Sequence, residues 1–514
     1  MSLTKVSYSM IVGASINVKD YGAVGDGSTD DTGAINLAIA AIPSTGGTLY
    51  FPASSGAYLV NSTIVVDKNN LTIDFNNQQL SFKSTFAKIG SGDYGIYNVM
   101  FAITANTVTC INGYFKQGSF TDSSVFLWFA TTCNDSKAIN CKFYDIPYVT
   151  SGGVYSVLLG VGVQTRTGST DIQILNCSFY NCAGGVSMQG SNGLIDGCYS
   201  YNDSNQVTAL AGSTDQPFGI DGSDFCSITN TKVYRAVGAK VCGANIGANS
   251  GTTNFIISNC SVYGQVGGIG IAVLASSYGV VSNNVISGGD YAAVGAWVLA
   301  RIDVDSSSIN FNNNLLRGAP TGFNGRGIDV STGYNVVSSN TFAFGSTNTV
   351  FANVAIQEAT SPQTIYISNN TFISPNIAVY WDGVTNNNNK AMVLSGNTYV
   401  DPLTTPYSGM SLTVNAPLWL SNEKFVSSLI TTFAINSHKL FRPLNTYGGY
   451  KFPINTAQNF VFYSGEVPTG ANYATATWSV GDTVYNSAPA VGQPVGWKCT
   501  VAGTPGTWVA LANL

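Results

Sequence analysis

One short phrase recurs along this chain and limits what it can fold into. An apolar or β-branched segment closes on asparagine, and a small residue and an aromatic or aliphatic one follow: "INCKF", "LNCSF", "TNTKV", "SNCSV", "NNVIS", "NNLLR", "SNTFA", "NNTFI", "GNTYV" and "SNEKF". The anchors are Asn140, Asn176, Asn230, Asn259, Asn284, Asn314, Asn340, Asn370, Asn397 and Asn422, with Gly197 in the one gap. From Asn230 the intervals are 29, 25, 30, 26, 30, 27 and 25 residues. Repeats of this length, made of strands of four to six residues bounded by Gly, Ser and Asn, predict a solenoid whose units bury their apolar faces only against neighbours. Helical repeats would need longer amphipathic stretches. The expected fold is all-β: a right-handed, single-stranded parallel β-helix of roughly a dozen coils spaced about 4.8 Å apart. Its asparagines are expected to form a hydrogen-bonded ladder at a turn, and the cysteines after Asn140, Asn176, Gly197 and Asn259 a buried column.

Composition narrows the class. Only 9% of residues are charged while 45% are hydrophobic, too apolar for disorder. A net charge of −5 leaves no basic footprint, so nucleic acid is not an expected partner. No run of 18 apolar residues occurs, and residues 1–15 show neither a basic n-region nor a sustained apolar one, so neither membrane insertion nor an export address is expected. The ten cysteines lack zinc-type pairing and read as reduced, buried side chains; no metal and no cofactor is expected.

The stretch "DYGAVGDGSTDDTGAI" concentrates Asp20, Asp26, Asp30 and Asp31. An EF-hand loop is excluded, because counting from Asp26 puts Asp31 at the sixth position and Leu37 at the twelfth. Asp30, Asp31 and Thr32 instead read as the N-cap and first turn of a helix carrying Ala34, Ile35, Ala38, Ile39 and Ile42 and stopped by Pro43, with "GGTLYFP" following as the first strand. The cluster is therefore expected to be structural, in a lid that caps the solenoid.

These residues also reach a family. "INVKDYGAVGDGSTDDTGAINLAIA" with "GGTLYFPASSGAYLV" resembles the N-terminal cap of pectate-lyase-like β-helix proteins. Together with "LTKVSYSMI" it resembles bacteriophage tailspike depolymerases, and "GDTVYNSAPAVGQPVGWKCTVAGTPGTW" resembles a small module at the ends of phage tail proteins. The resemblance implies a homotrimeric spike of the virion tail, assembled in the host cytoplasm, that binds and depolymerises a bacterial surface polysaccharide, capsule or O-antigen. Such spikes usually carry a particle-binding domain ahead of the cap. None precedes it here, so the expectation is either a piece of a longer chain or attachment through another phage tail or baseplate protein. The expected domains are a cap at 1–45, the β-helix at 46–432, a β segment at 433–463 that finds its core between chains, and a small β module at 464–514 behind the linker "SGEVPTGA".

Glycoside hydrolysis needs two carboxylates, one protonated and one ionised. Counting back from the asparagines, Asp303 and Asp329 both fall 11 positions before an anchor, and Glu358 falls 12 before the next. On adjacent coils the carboxyls of Asp303 and Asp329 would be about 5 Å apart, those of Asp303 and Glu358 about 10 Å. The first spacing suits retention or a shared proton, the second inversion. Trp297, Phe323 and Tyr380 share one offset and, with Trp381, read as a sugar-stacking strip if outward and as core if inward. Arg301 and Arg326 either bind an acidic sugar or neutralise the carboxylates.

A second cluster, "STDQPFGIDGSDF", holds Asp215, Asp221 and Asp224 and faintly resembles the "NTDG" region of polygalacturonases. The next coil reads "AVGAK" instead of paired aspartates, and His438 is the only histidine, so that assignment is rejected and Asp221 with Asp224 stays as a competing acid pair. An endo-glycosidase leads. Its rivals are a lyase, with Lys240, an arginine or a tyrosine as base, and a non-catalytic receptor-binding spike or adhesin.

Overall fold

The computed structural model describes residues 15–90, 97–122, 124–147, 160–203, 216–236, 243–265, 269–288, 297–303, 305–318, 325–330, 333–344, 352–357, 364–373, 377–382 and 391–400. Towards the C-terminus it describes 405–408, 410–411, 418–421, 423–426, 435–436, 440–441, 461–464, 478, 480–486, 489–503 and 506–514. Met1–Tyr291 and Ala292–Leu514 form two compact units. Both are built from one coil, repeated: a short strand, a tight turn, a second short strand, a loop of varying length, and a longer third strand. Strands in the same place on successive coils pair in parallel, generating three sheets, here A, B and C.

In the first unit sheet A runs from Ile16–Asn17 to Val280–Ser282, sheet B from Tyr58–Ser62 to Val285–Gly288, and sheet C from Ile64–Val66 to Ile269–Val273. Lys137–Ile139, Lys142–Tyr144 and Val161–Thr165 make one coil, in A, B and C order. The short strands bury one residue of three, and these central residues stack down the interior. Phe115, Phe143 and Phe179 form such a column, with ring centroids 5.1 and 4.8 Å apart. The second unit repeats it with Phe342, Phe372 and Tyr399, at 5.0 and 5.2 Å.

The turn between A and B explains the asparagine phrase and corrects its register. In the first unit Asn140, Asn176, Gly197, Asn230 and Asn259 adopt φ between 52° and 64°, a left-handed conformation in which Asn and Gly are the least strained residues. The next residue points inward: Cys141, Cys177, Cys198, Thr231 and Cys260 are all buried. From Asn283 on, the left-handed residue comes one position earlier than the anchors counted in sequence, at Asn283, Asn313, Ser339, Asn369 and Gly396. The anchors Asn284, Asn314, Asn340, Asn370 and Asn397 therefore occupy the place the cysteines hold earlier, and the repeat phrase had aligned two different columns. Glu423 takes this place on the next coil, accepting from the Asn397 backbone N–H at 3.2 Å and from its Nδ2 at 3.1 Å. Asn422 lies outside the described residues. Both columns satisfy buried polar atoms: the Cys177 thiol donates to the Ala138 carbonyl, and in the second unit each asparagine amide bonds the next. The nine described cysteines are free and buried, and Cys242 lies outside the described residues. Burial lifts the Cys177 thiol well above its ordinary range, which makes it a poor nucleophile.

The cap contains the expected helix, Thr32–Ala40, preceded by strand Ile16–Asn17, which opens sheet A by pairing with Gly47–Tyr50 ahead of the strand expected first. Its acids act differently from the simple capping expected of them. Asp30 accepts from the Thr32 backbone N–H at 3.0 Å and from its hydroxyl at 2.6 Å. Asp31, at the N-cap position, makes no capping bond. Its buried carboxylate clasps the backbone N–H groups of Val24 (2.6 Å), Gly25 (3.3 Å) and Leu59 (3.1 Å), tying the preceding loop to sheet B. Asp31→Ala leaves those donors without their acceptor and is expected to cost about 3 kcal/mol, while Asp30→Ala costs about 0.5–2 kcal/mol. Urea unfolding measures both, and turnover of the folded variants should match the parent.

At the other end, Leu440–Phe441 still pairs with Leu418–Ser421, so sheet A continues past residue 432. Val461–Ser464 joins Thr483–Asn486, Gly496–Val501 and Thr507–Ala510 in a separate four-stranded sheet, which places the start of the module upstream of residue 464. Most of "SGEVPTGA" and His438 lie outside the described residues. Among the described residues no helix is long and apolar enough to cross a membrane.

Candidate functional site

In the first unit, successive strands of sheet C carry polar side chains that join into a strip. Gln164 faces Ser187 across one coil contact, and Asp221 faces Asn249 across another. Gln164 Nε2 lies 3.1 Å from Ser187 Oγ, and the Ser187 hydroxyl donates to Asp221 Oδ2 at 3.0 Å. Asn249 Nδ2 donates to Asp221 Oδ1 at 2.9 Å and to Gln216 Oε1 at 2.8 Å. The Gln216 side chain lies across Gly219 and Gly247, where a Cβ on either glycine would collide with it. Beside this network Arg166 donates to Gln189 Oε1 at 2.7 Å and sits 5.2 Å from the centre of the Trp128 ring, which packs on Tyr97.

Two properties make the strip chemically interesting. Gln216 Nε2, Arg166 Nε and Trp128 Nε1 are buried donors with no partner among the described residues, which is costly unless something polar meets them. Among the described residues Asp221 receives hydrogen bonds only from the neutral donors Ser187 and Asn249. Burial raises its carboxyl above the ordinary range and outweighs these bonds, which favour the ionised form. A carboxyl raised in this way holds its proton to higher pH than an ordinary one, as a proton donor must, and the amides around it suit sugar hydroxyls.

Asp224 has the opposite environment. It is half-buried at the corner after the Asp221 strand, and the Thr253 hydroxyl (2.6 Å) and Asn254 Nδ2 (2.8 Å) hold it below the ordinary range. Asp196 accepts from Thr229 and Asn230 at 2.6 and 2.7 Å at a different corner. The repeated arrangement identifies a bracket between coils. Asp215 and Lys240 lie outside the described residues.

In the second unit the count of 11 positions misplaces the acids. The residue opposite Asp329 is Arg301, not Asp303. The corner from Ile302 to Asn310 is two residues longer than that from Val330 to Val336, so counting back across it slips the register by two. The close Asp303–Asp329 pair is therefore not formed by strand pairing. Asp329, 1% exposed, instead sits between two guanidinium groups, Arg301 at 3.4 Å and Arg326 at 3.2 Å. Burial pushes its carboxyl upward, against the pull of Arg326 and Arg301. Arg301 is one-third exposed, with its Nε buried and without a partner among the described residues. Trp297 pairs with Gly325, whereas Tyr380 pairs with Ala355 in the Arg301–Asp329 column and Trp381 with Ile356, so the single aromatic strip expected through Trp297 and Tyr380 is not one column. Phe323 and Glu358 lie outside the described residues.

Comparison with known proteins bears on the fold. Residues 15–80 match the family described as "Rhamnogalacturonase A/epimerase, pectate lyase-like". A solved mutant of the tailspike protein of E. coli bacteriophage HK620, in complex with a pentasaccharide, aligns over 97% of this chain and 91% of its own with a TM-score of 0.53 and 11% identity. The fold is a parallel β-helix, and its residues 15–80 match the pectate-lyase-like family. Two curated relatives match in part. Mannuronan C5-epimerase AlgE3 of Azotobacter vinelandii is 51% identical over 61 residues, which is 12% of this chain and 3% of that protein. The pre-neck appendage protein of Bacillus phage B103 is 27% identical over 175 residues, 32% of this chain and 20% of that one. The chain thus spans at most a fifth of these relatives. Within the β-helix, Gln164, Arg166, Ser187, Gln189, Gln216 and Asn249 were not found by counting from the A–B turn. Aligning the third strands "VGVQTR", "GGVSMQ", "FGIDG" and "ANIGAN" on their apolar alternation would have placed all of these but Gln216, which lies ahead of its strand.

Proposed function

We propose that the chain is a phage spike that binds and cleaves a bacterial surface polysaccharide, and that Asp221 is its proton donor in glycoside hydrolysis. The observation that carries this reading is the half-buried Asp221 side chain, whose carboxyl is raised by desolvation, bonded by Ser187 and Asn249 with no cation in contact among the described residues and flanked by amide side chains. The likeness to a tailspike and to a phage appendage protein supports a place on the virion, where the chain acts as a homotrimer in this reading. Arg301 and Arg326, fixed by Asp329, supply contacts for an acidic sugar in the second unit.

Incubation of the purified protein with a panel of capsular and O-antigen polysaccharides should release new reducing ends without the ultraviolet absorbance of an unsaturated uronate. That absorbance would establish β-elimination and direct attention to Lys240 and Arg301. Binding without release from any polysaccharide would leave an adhesin. Light scattering should give the mass of three chains, and a single-chain mass would remove the trimer.

A further inference from the structure

The solvent face of sheet B in the first unit carries a feature that the Asp221 strip does not use. Tyr144, Tyr180, Tyr201, Tyr234 and Tyr263 are direct partners on five successive coils. Lys116 precedes Tyr144 in this column. The adjacent outward column reads Tyr114, Lys142, Ser178, Tyr199, Lys232 and Ser261. Tyr144 stacks on Tyr180 at 4.8 Å and 12°, and Tyr201 on Tyr234 at 5.6 Å and 12°. Tyr180 and Tyr201 are tilted by 51° with centroids 6.5 Å apart, so the row consists of two stacked pairs on neighbouring coils, set along the solvent face of sheet B with one tyrosine per coil. Tyr234 is 41% exposed, and Lys142 and Lys232 are exposed beside the row. The outward positions of these five strands hold no carboxylate. Asp145, just past Tyr144, is paired with Lys116 at 3.5 Å, and Asp196 and Asp203 flank the strand of Tyr199 and Tyr201.

We propose that this tyrosine and lysine face is a second glycan-binding surface, which holds a linear, carboxylate-bearing polysaccharide lengthwise along the coils. The tyrosines recur once per coil, at about the strand spacing of 4.8 Å, close to the advance per residue of an extended sugar chain. Tyrosine offers an apolar edge and a hydroxyl together, the combination a sugar presents in return. The lysines add the complementary charge, on a chain whose net charge is −5. A second copy of the chain is the less suitable occupant. Lysine is depleted from the buried centres of protein interfaces, and a symmetric contact would bring like charges together.

The test uses affinity gel electrophoresis in alginate, a linear uronate polymer, and in neutral dextran, on protein already carrying Asp221→Asn so that binding is read without cleavage. Alginate should retard this protein and dextran should not. Tyr180→Phe, Tyr201→Phe and Tyr234→Phe together keep the ring stack and remove three hydroxyls, and should weaken retardation about tenfold. Lys142→Gln with Lys232→Gln should weaken it by a similar factor at low salt and flatten its salt dependence. Absence of retardation in alginate, or equal retardation of both variants and their parent, overturns the proposal. A change of oligomeric mass in the tyrosine variant also overturns it, by showing the face to be an interface between copies. Activity surviving Asp221→Asn would remove the catalytic reading alone and leave the binding result standing.

Discussion

Asp221→Asn should lower kcat on intact polysaccharide by about 10²–10⁴-fold with binding retained, because the amide keeps the shape and the Asn249 and Ser187 contacts but has no proton to transfer. Asp224→Asn is the control and should be nearly silent, since Asp224 brackets two coils through Thr253 and Asn254. The same variant carries a second, oppositely signed signature. Asp221 has its carboxyl raised on folding. Below the unfolded value both states hold the proton and the group is neutral to stability. As pH rises from there through the folded value, the unfolded state ionises first and stability falls. At neutral pH the wild type therefore bears the cost of a buried charge or a retained proton, and Asp221→Asn removes it. Thermal unfolding against pH should show the variant at least as stable as wild type at neutral pH, the difference shrinking in acid. Loss of activity with a large loss of stability would instead make Asp221 a structural residue. Full activity in Asp221→Asn with a loss in Asp329→Asn would move the site to the second unit.

The β-helix was legible in the sequence because its turn imposes a local rule. At the A–B turns from Asn140 to Gly396 the left-handed residue is Asn, Gly or, at Ser339, Ser, and the rule repeats from coil to coil whatever the loops do. The same economy hid the register. Asn259 serves the turn and Asn284 the interior, and nothing in a phrase such as "SNC" or "NNV" says which asparagine turns and which is buried. The site was less legible still, since it lies on sheet C, separated from the counted turn by a corner of variable length. The two additional residues between Ile302 and Asn310 were enough to exchange Asp303 for Arg301 opposite Asp329. Asp221 stood out in the sequence only with Asp215 and Asp224, through a faint likeness to the "NTDG" region of polygalacturonases, and as half of a competing pair with Asp224. Its partners Ser187 and Asn249 belong to the commonest residue types of the chain and are distinguished only by strand pairing. The tyrosine row sits four positions after the turn residue on five coils, from Asn140 to Tyr144 and from Asn259 to Tyr263, a period as regular as the asparagines themselves.

Asn370→Ala should be among the most destabilising single substitutions in the second unit, costing about 3–5 kcal/mol. Asn370 Oδ1 accepts from the Asn340 backbone N–H at 2.9 Å and from Asn340 Nδ2 at 3.0 Å. Its own Nδ2 donates to the Val337 carbonyl at 2.9 Å and to Asn397 Oδ1 at 3.0 Å. Removing the amide takes the partner from the Asn340 backbone N–H and from the Val337 carbonyl, both on the preceding coil, and each such group costs about 1–3 kcal/mol. Asn340 Nδ2 keeps the Phe311 carbonyl, and Asn397 Oδ1 keeps the Asn370 backbone N–H. The neighbouring position supplies the contrast. Asn369 has φ 55° and occupies the turn place that Gly396 fills on the next coil, so Asn369→Gly should change stability by only about a few tenths of a kcal/mol. Guanidinium unfolding of both variants, followed by tryptophan fluorescence, measures the difference, and where refolding is incomplete the ratio of unfolding half-lives replaces it. The two asparagines are adjacent and chemically identical, so a preference can only come from their places in the coil. If Asn369→Gly proves the more damaging, the asparagines are retained for the turn, and the buried ladder from Asn314 to Glu423 contributes far less than its hydrogen bonds imply.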